Sequence, residues 1–179
     1  VIIVMFILVI YTGFTSDNFF TRNNFMNILM NMSSRLVIAL GIAGCVITAG
    51  CDLSAGRMIG FGACISGMLL QRMDYSGKFF PDMQPLNVFV VALIAMLVCA
   101  AFGTVTGFFI AYLNVPPFIA TLAMMEIVYG IGLIVTNATP LGGYVEQYTN
   151  VSNGKFLGIN YLIWIAIIVA AITWFIFNM

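Results

Sequence analysis

The sequence contains no histidine and very little charge. Only 7% of its 179 residues are charged, six basic and six acidic, whereas about 25% is usual for a soluble domain. The absence of histidine excludes Ser-His and Cys-His catalytic pairs and most zinc sites. So few charged side chains cannot cover a water-facing surface of this size, and the balanced charge offers no basic face to a nucleic acid. An ordinary soluble domain and a nucleic-acid-binding protein are therefore both excluded.

Motifs for chemistry on a substrate are also missing. There is no G-x-x-x-x-G-K-[ST] loop to bind ATP, and no pair of carboxylates is spaced for acid–base hydrolysis. The four cysteines have no C-x-x-C spacing and lie in or beside apolar runs, so we interpret them as packing residues. We expect no enzymatic activity, no metal site and no cofactor in this chain.

Apolar residues are abundant instead. They make up 63% of the sequence, and the mean hydropathy is +1.12. These values predict an all-α, polytopic membrane protein with about six membrane segments. The predicted segments are residues 1–14, 28–50, 58–70, 86–113, 116–135 and 161–177.

Both chain ends lie in apolar sequence. A helix over residues 1–14 would reach only about 21 Å, against about 30 Å for a bilayer core. We interpret it as the second part of a spanning helix, and we expect the sequence to be part of a longer chain.

The third segment, with about 13 residues, is too short to span alone, which favours a re-entrant or broken helix. A polar break at residues 50–57, with Gly50 and Gly56 at its ends, joins it to the second segment. We predict that Asp52 or Ser54 caps the following helix by accepting hydrogen bonds from its free N–H groups. Non-helical backbone at membrane depth must face protein or a water-filled cavity, and transporters use such breaks to bind ligands.

Pairs of glycines four residues apart recur in apolar sequence, at Gly56 and Gly60 and at Gly103 and Gly107. Small residues at this spacing let helix backbones approach closely. The pattern indicates tight packing within one subunit or, alternatively, a subunit interface.

Charges inside membrane segments are candidates for function because each is costly there. Asp52 and Arg57 flank the break, where they form a mutual salt bridge or shape a polar path. Glu126 lies within the fifth segment and must face protein or water. It is interpreted either as a structural hydrogen-bonding group or as a proton-relay or path-lining group.

An uncharged, hydroxyl-rich substrate would need hydrogen-bonding groups along apolar helices. Thr48, Ser54, Asn114 and Thr121 lie on the segments that are broken or begin with proline, where backbone groups are also unpaired. Phe118 is a candidate apolar gate or a packing residue. Together with Asp52 and Arg57, these residues form the predicted substrate path.

Two motifs resemble a known family. Residues 48–57, Thr-Ala-Gly-Cys-Asp-Leu-Ser-Ala-Gly-Arg, are similar to the G-x-DLS-x-G signature of the ribose/xylose-type permeases of bacterial sugar ABC importers. Residues 111–122, which contain Pro-Pro-Phe-Ile-Ala-Thr-Leu, resemble that family's V-x-PFI-x-TL stretch. Ser-Ala-Gly-Arg at 54–57 and Ile-Val-Tyr-Gly at 127–130 are most similar to the branch that imports galactose and methyl-galactosides.

The resemblance implies that residues 1–179 are the N-terminal part of a sugar permease domain in the bacterial inner membrane. It also implies a multi-pass homodimer surrounded by lipid. The implied partners are a subunit with an ATP-binding cassette, which would hold the nucleotide, and a periplasmic sugar-binding protein. Glu126 departs from the apolar or small residue that the family would have there.

The resemblance and the charge pattern disagree on orientation. Loops 15–34, 71–85 and 136–160 hold most of the basic residues, so the positive-inside rule would place them in the cytoplasm. The resemblance implies a cytoplasmic N-terminus and places them in the periplasm, and we follow it. Two other classes stay open: an ion-coupled secondary transporter that uses Glu126, and a membrane scaffold that transports nothing.

Overall fold

The computed structural model describes residues 2–16, 19–48 and 50–178. Ala49, which belongs to the first motif, and Val1 and Met179, at the two apolar ends, lie outside the described residues. Within the described part, the backbone forms seven α-helices and one β-ribbon, so the all-α prediction is confirmed there. The helices are α1 (Ile2–Thr15), α2 (Arg22–Ile47), α3 (Ala55–Leu69), α4 (Val88–Leu113), α5 (Pro117–Thr136), α6 (Glu146–Asn153) and α7 (Tyr161–Asn178).

Four of these helices are long and apolar enough to cross a membrane. They are α2, α4, α5 and α7, with 26, 26, 20 and 18 residues. Two shorter apolar helices, α1 and α3, have 14 and 15 residues. Within the described residues, the structure therefore supports four spans, and the prediction of about six segments is not confirmed.

The chain divides into two compact units, one of which joins the residues up to Val37 with those from Ser152 onward. In this unit, β1 (Lys155–Phe156) pairs antiparallel with β2 (Ile159–Asn160). Leu157 and Gly158 have φ of 53° and 79°, as a two-residue hairpin turn requires. Asn160 then starts α7, because its Oδ1 accepts a hydrogen bond from the Leu162 N–H at 2.8 Å.

The second unit, Ile38–Val151, is built around α3, α4 and α5. Phe61 and Ile65 of α3 pack with Ala95 of α4 and with Met124 and Val128 of α5. Apolar side chains on three faces thus meet in one buried core.

The contacts along these helices also fix their directions. The Leu86 N–H donates to the Leu69 carbonyl at 3.4 Å, so the end of α3 meets the start of α4 and the two helices are antiparallel. Thr121, near the start of α5, lies beside Cys51, which precedes α3. Helices α3 and α5 are therefore parallel.

The loops at one end of this unit are joined by the side chain of Gln71, which is 1% exposed. Its Nε2 donates to the Gly142 carbonyl at 3.0 Å, and its Oε1 accepts from the Phe79 N–H at 2.7 Å. The Arg72 N–H also donates to the Gly143 carbonyl at 2.8 Å. The chain between α3 and α4 is thereby tied to the chain after α5, and the break before α3 lies at the opposite end.

Candidate functional site

A cavity of about 370 Å³ lies at the end of the second unit where the break is. Four segments contribute to it: the end of α2, the break before α3, the second half of α4 and the start of α5. Its volume falls in the range of about 300–1,000 Å³ that is typical of small-molecule sites. The lining residues are Cys45, Thr48, Gly50, Cys51, Asp52, Ser54, Gly103, Thr106, Gly107, Ile110, Pro117 and Thr121. The break was predicted to face protein or a cavity, and its residues 50–52 and 54 line this cavity.

Asp52 organises the backbone of the break. Its Oδ1 accepts from the Ser54 N–H at 2.9 Å and from the Ser54 hydroxyl at 2.6 Å. An aspartate that hydrogen-bonds the backbone two residues on holds a turn and keeps the chain out of a continuous helix. The carboxylate therefore both lines the cavity and fixes the shape of its wall.

The predicted side-chain cap of α3 is wrong. Ser54 occupies the N-cap position, but it has helical torsions (φ −76°, ψ −21°) and makes no capping hydrogen bond with its side chain. Its carbonyl instead accepts from the N–H groups of Arg57 and Met58, at 3.0 and 2.9 Å. The Ser54 hydroxyl is oriented towards Asp52, so neither side chain accepts a bond from an N–H group of the helix.

The hydroxyl groups that line the cavity can accept hydrogen bonds from a ligand. The hydroxyls of Thr48, Thr106 and Thr121 donate to backbone carbonyls three or four residues earlier in the chain, at 2.9, 3.0 and 2.8 Å. A hydroxyl has one proton and two lone pairs, so each of these oxygens keeps acceptor capacity. With the Asp52 carboxylate beside them, the cavity suits a neutral ligand that offers several O–H donors.

Glycines create much of the space. A Cβ placed at Gly103 or Gly107 would meet no atom within 4 Å of it beyond the helix's own nearby backbone, so the face of α4 there borders open volume. Gly50 is in the opposite situation, because a Cβ there would lie 3.3 Å from the Cys45 carbonyl oxygen. The break therefore passes close to the end of α2, while α4 leaves the cavity open.

Four of the seven predicted path residues line the cavity: Thr48, Asp52, Ser54 and Thr121. Asn114 instead ends α4 in the left-handed conformation (φ 51°), with its N–H donating to the Phe109 carbonyl. Phe118 is 57% exposed and does not line the cavity. The structure does not bring Asn114 or Phe118 to this site, and their path roles stay predictions.

Arg57 lies apart from Asp52. Its guanidinium carbon sits 4.0 Å from the centre of the Tyr129 ring, which is a cation–π contact between α3 and α5. Among the described residues the one ion pair joins Arg72 to Asp74, so the interpretation of a mutual Asp52–Arg57 salt bridge is wrong. The arginine borders a separate groove of about 200 Å³.

Thr106 is a polar lining residue that the predicted path does not include. It is 6% exposed and lies between Gly103 and Gly107, the glycine pair that indicates either packing within one subunit or a subunit interface. Thr104 and Thr106 both lie inside this glycine pair, so the sequence marks a polar stretch in an apolar helix but does not single out Thr106.

Glu126 does not line the cavity. It lies on an exposed face of α5 and, among the described residues, forms no hydrogen bond or ion pair. Its side chain therefore gives no support to a coupling role at the cavity.

The chain matches the family model described as "Branched-chain amino acid transport system / permease component" over residues 24–179. The chain belongs to this family. No solved structure matches it.

Curated relatives show which permeases this chain is similar to. The galactose/methyl galactoside import permease protein MglC of Escherichia coli is 38% identical, and the alignment covers 98% of this chain and 54% of the relative. The corresponding protein of Haemophilus influenzae is 39% identical, with 98% and 55% covered. The ribose import permease protein RbsC of Escherichia coli is 29% identical, with 99% and 53% covered. The chain thus spans about half the length of the curated relatives it matches.

These matches confirm the recognised resemblance to sugar importer permeases. Membership in a permease family, together with four apolar helices of spanning length, confirms the prediction of a multi-pass protein of the bacterial inner membrane. The relatives are named as permeases rather than as enzymes.

Proposed function

We propose that this permease forms part of the membrane path of an ATP-driven importer for galactose and methyl-galactosides. The observation that carries the proposal is the cavity at the break, where Asp52 and three threonine oxygens can accept hydrogen bonds. A hexose offers several O–H donors and no charge, which matches that chemistry. The names of the relatives from Escherichia coli and Haemophilus influenzae support the choice of sugar.

The proposal includes the whole assembly. Residues 1–179 form the N-terminal part of a permease domain, and a second copy of the permease completes the membrane portion. A partner with an ATP-binding cassette binds the nucleotide, a periplasmic protein delivers the sugar, and lipid surrounds the helices. In this arrangement α1 and α3 are membrane segments as well, α3 being the short helix that follows the break.

The deciding experiment is uptake of labelled galactose by cells that carry the intact transporter, compared with cells whose cassette subunit cannot hydrolyse ATP. We expect uptake to require hydrolysis and to persist when the proton gradient is collapsed while ATP is maintained. Unlabelled methyl-galactoside should compete, whereas ribose and xylose should not.

Each alternative has its own outcome in the same assay. Uptake that survives loss of hydrolysis but ends with the proton gradient would point to an ion-coupled transporter using Glu126. Normal uptake after deletion of the permease would indicate a scaffold. Competition by ribose alone would support an ATP-driven importer but show that its sugar is ribose.

A further inference from the structure

One exposed face of the second unit carries two opposite charges. It is formed by the first turns of α3 and the middle of α5, and we call it the Arg57–Glu126 face. Arg57 lies over the ring of Tyr129, and Glu126 precedes Tyr129 by three residues, so it lies one helical turn away on the same side of α5. Its members are Gly56, Arg57, Gly60, Leu122, Glu126, Tyr129 and Leu133, all of them exposed.

Both charges lie near the middle of a span. Helix α5 is 20 residues long, or about 30 Å. Glu126 lies about 14 Å from its Pro117 end, and Tyr129, which marks the level of the Arg57 guanidinium, lies about 18 Å from that end. Ionisable groups at this depth are costly unless they are paired or covered.

Neither charge is paired with an opposite charge in the described part of the chain. Arg57 has the Tyr129 ring as its contact, and the Glu126 carboxylate has no hydrogen bond or ion pair. A cation and an anion on one face, each with unused pairing capacity, make that face complementary to a copy of itself.

We propose that a second copy of the permease packs on this face about a two-fold axis, with Arg57 of each copy pairing with Glu126 of the other. A two-fold interface brings the same patch of both copies together, so each contact occurs twice. A Cβ at Gly56 or Gly60 would meet no atom within 4 Å apart from nearby backbone of its own helix, which leaves α3 open to close approach by a partner helix. The inference rests on the proposed assembly of two permease copies and locates their contact.

Charge reversal in two differently tagged copies tests the pairing. Arg57→Glu alone, or Glu126→Arg alone, places like charges opposite each other at both contacts. We expect self-association of each variant, measured by co-purification of the two tags from membranes, to fall by about tenfold or more. When the Arg57→Glu copy is expressed with the Glu126→Arg copy, both contacts become opposite again, and mixed dimers should be recovered. Asp82→Arg, at an exposed loop carboxylate, is the matched control and should change nothing.

The mixed expression separates contacts between copies from contacts within one copy. If Arg57 paired with Glu126 of the same chain, each variant would still hold two like charges within one copy. Expressing the two variants together would then recover no mixed dimers, which would overturn the proposal. Unchanged self-association of both single variants would overturn it as well.

Disulfide cross-linking covers the case in which the charge variants fail to accumulate. In a background without the four native cysteines, a copy with Arg57→Cys and a copy with Glu126→Cys should cross-link to each other. A control pair with Ile134→Cys and Leu97→Cys, at exposed positions outside the face, should not. Cross-linking of the control pair alone would overturn the proposed face. Galactose uptake measured in the same cells tests the transport function separately, so either idea can fail without the other.

Discussion

At the residue scale, Asp52 has two roles that substitutions can separate. Its Oδ1 holds the turn through two hydrogen bonds to Ser54, and its negative charge adds to the acceptor character of the cavity. An asparagine keeps an acceptor oxygen for the turn but removes the charge, whereas an alanine removes both.

We predict that Asp52→Asn keeps the permease stable and lowers the apparent affinity for sugar, because a charged acceptor binds O–H groups more strongly than an amide does. Asp52→Ala should also cost about 1–3 kcal/mol of stability, since the Ser54 groups lose their partner. Uptake kinetics and thermal unfolding in detergent measure the two effects. Asp74→Ala, at an exposed loop carboxylate, is the control, and equal uptake in Asp52→Asn and the wild type would refute a role for the charge.

Gly143 is the glycine whose replacement the structure excludes most clearly. It has φ of +71°, where a side chain is strained, and an added Cβ would lie 2.3 Å from Cγ of Tyr75. Gly143→Ala should therefore destabilise the loops that Gln71 joins. The loss should exceed the roughly 1–2 kcal/mol that a left-handed backbone conformation alone costs a residue with a side chain.

Limited proteolysis of the loops and thermal unfolding measure this effect. Gly142→Ala is the matched control, because its Cβ would lie 3.3 Å from the Tyr75 hydroxyl at an ordinary φ. If the two variants are equally stable, the close packing of Tyr75 on Gly143 is not a determinant of the loop structure.

Site residues that belong to a local motif are predictable from the sequence, whereas those that only the fold brings together are not. Asp52 and Ser54 stand out because a polar pair interrupts an apolar run. Thr106 is separated from them by the whole of α3, the loop after it and most of α4, and only the antiparallel packing of α4 on α3 brings it to the cavity. The predicted cap is wrong because Ser54 has helical rather than extended backbone torsions and its hydroxyl donates to Asp52.

At the element scale, the apolar runs located the helices but not their polar ends. The second segment was predicted from residue 28, yet α2 begins at Arg22. Its first turns carry amides, and Asn24 anchors them by donating to the Phe19 carbonyl at 2.8 Å. Hydropathy cannot detect such a start, since the stabilising groups are polar. Helix α6 and the β-ribbon were missed for the same reason.

A larger side chain on the glycine face of α4 would fill the cavity without disturbing the buried core of α3, α4 and α5. We predict that Gly107→Leu abolishes most sugar uptake because the new side chain projects into the space beside Thr106 and Thr121. Gly107→Ala should be tolerated, since its Cβ meets no neighbour. The measurement is uptake per amount of permease assembled in the membrane.

The control for this substitution is Gly41→Leu in α2, another helical glycine with open space that does not line the cavity. It should leave uptake unchanged. Full activity of Gly107→Leu would show that the sugar does not pass through this cavity.

At the scale of the whole molecule, the second unit has two distinct ends. The break and the turn between α4 and α5 lie at one end, and the loops joined by Gln71 lie at the other. The sequence correctly grouped loop 71–85 with the first part of loop 136–160, because successive apolar segments must alternate in direction. The positive-inside rule and the family resemblance disagree on which end faces the cytoplasm, and the predicted orientation follows the resemblance.

Labelling of single cysteines in intact cells decides between the two orientations. We predict that Ser76→Cys, in the exposed loop after α3, reacts with a membrane-impermeant maleimide added from outside. Leu113→Cys, at the end of α4, should react only after the membrane is permeabilised. Both variants need a background in which Cys45, Cys51, Cys64 and Cys99 are replaced.

This expectation follows the family, and it runs against the positions of Arg72 and Lys78, which the positive-inside rule would retain in the cytoplasm. Basic residues within a short stretch of the chain bias its orientation, but they compete with those of every other loop of the complete protein. Removing the loop charges with Arg72→Gln and Lys78→Gln should therefore leave the labelling pattern unchanged. If Ser76→Cys reacts only after permeabilisation, the loop end is cytoplasmic, and the cavity at the break then opens on the side from which the sugar arrives.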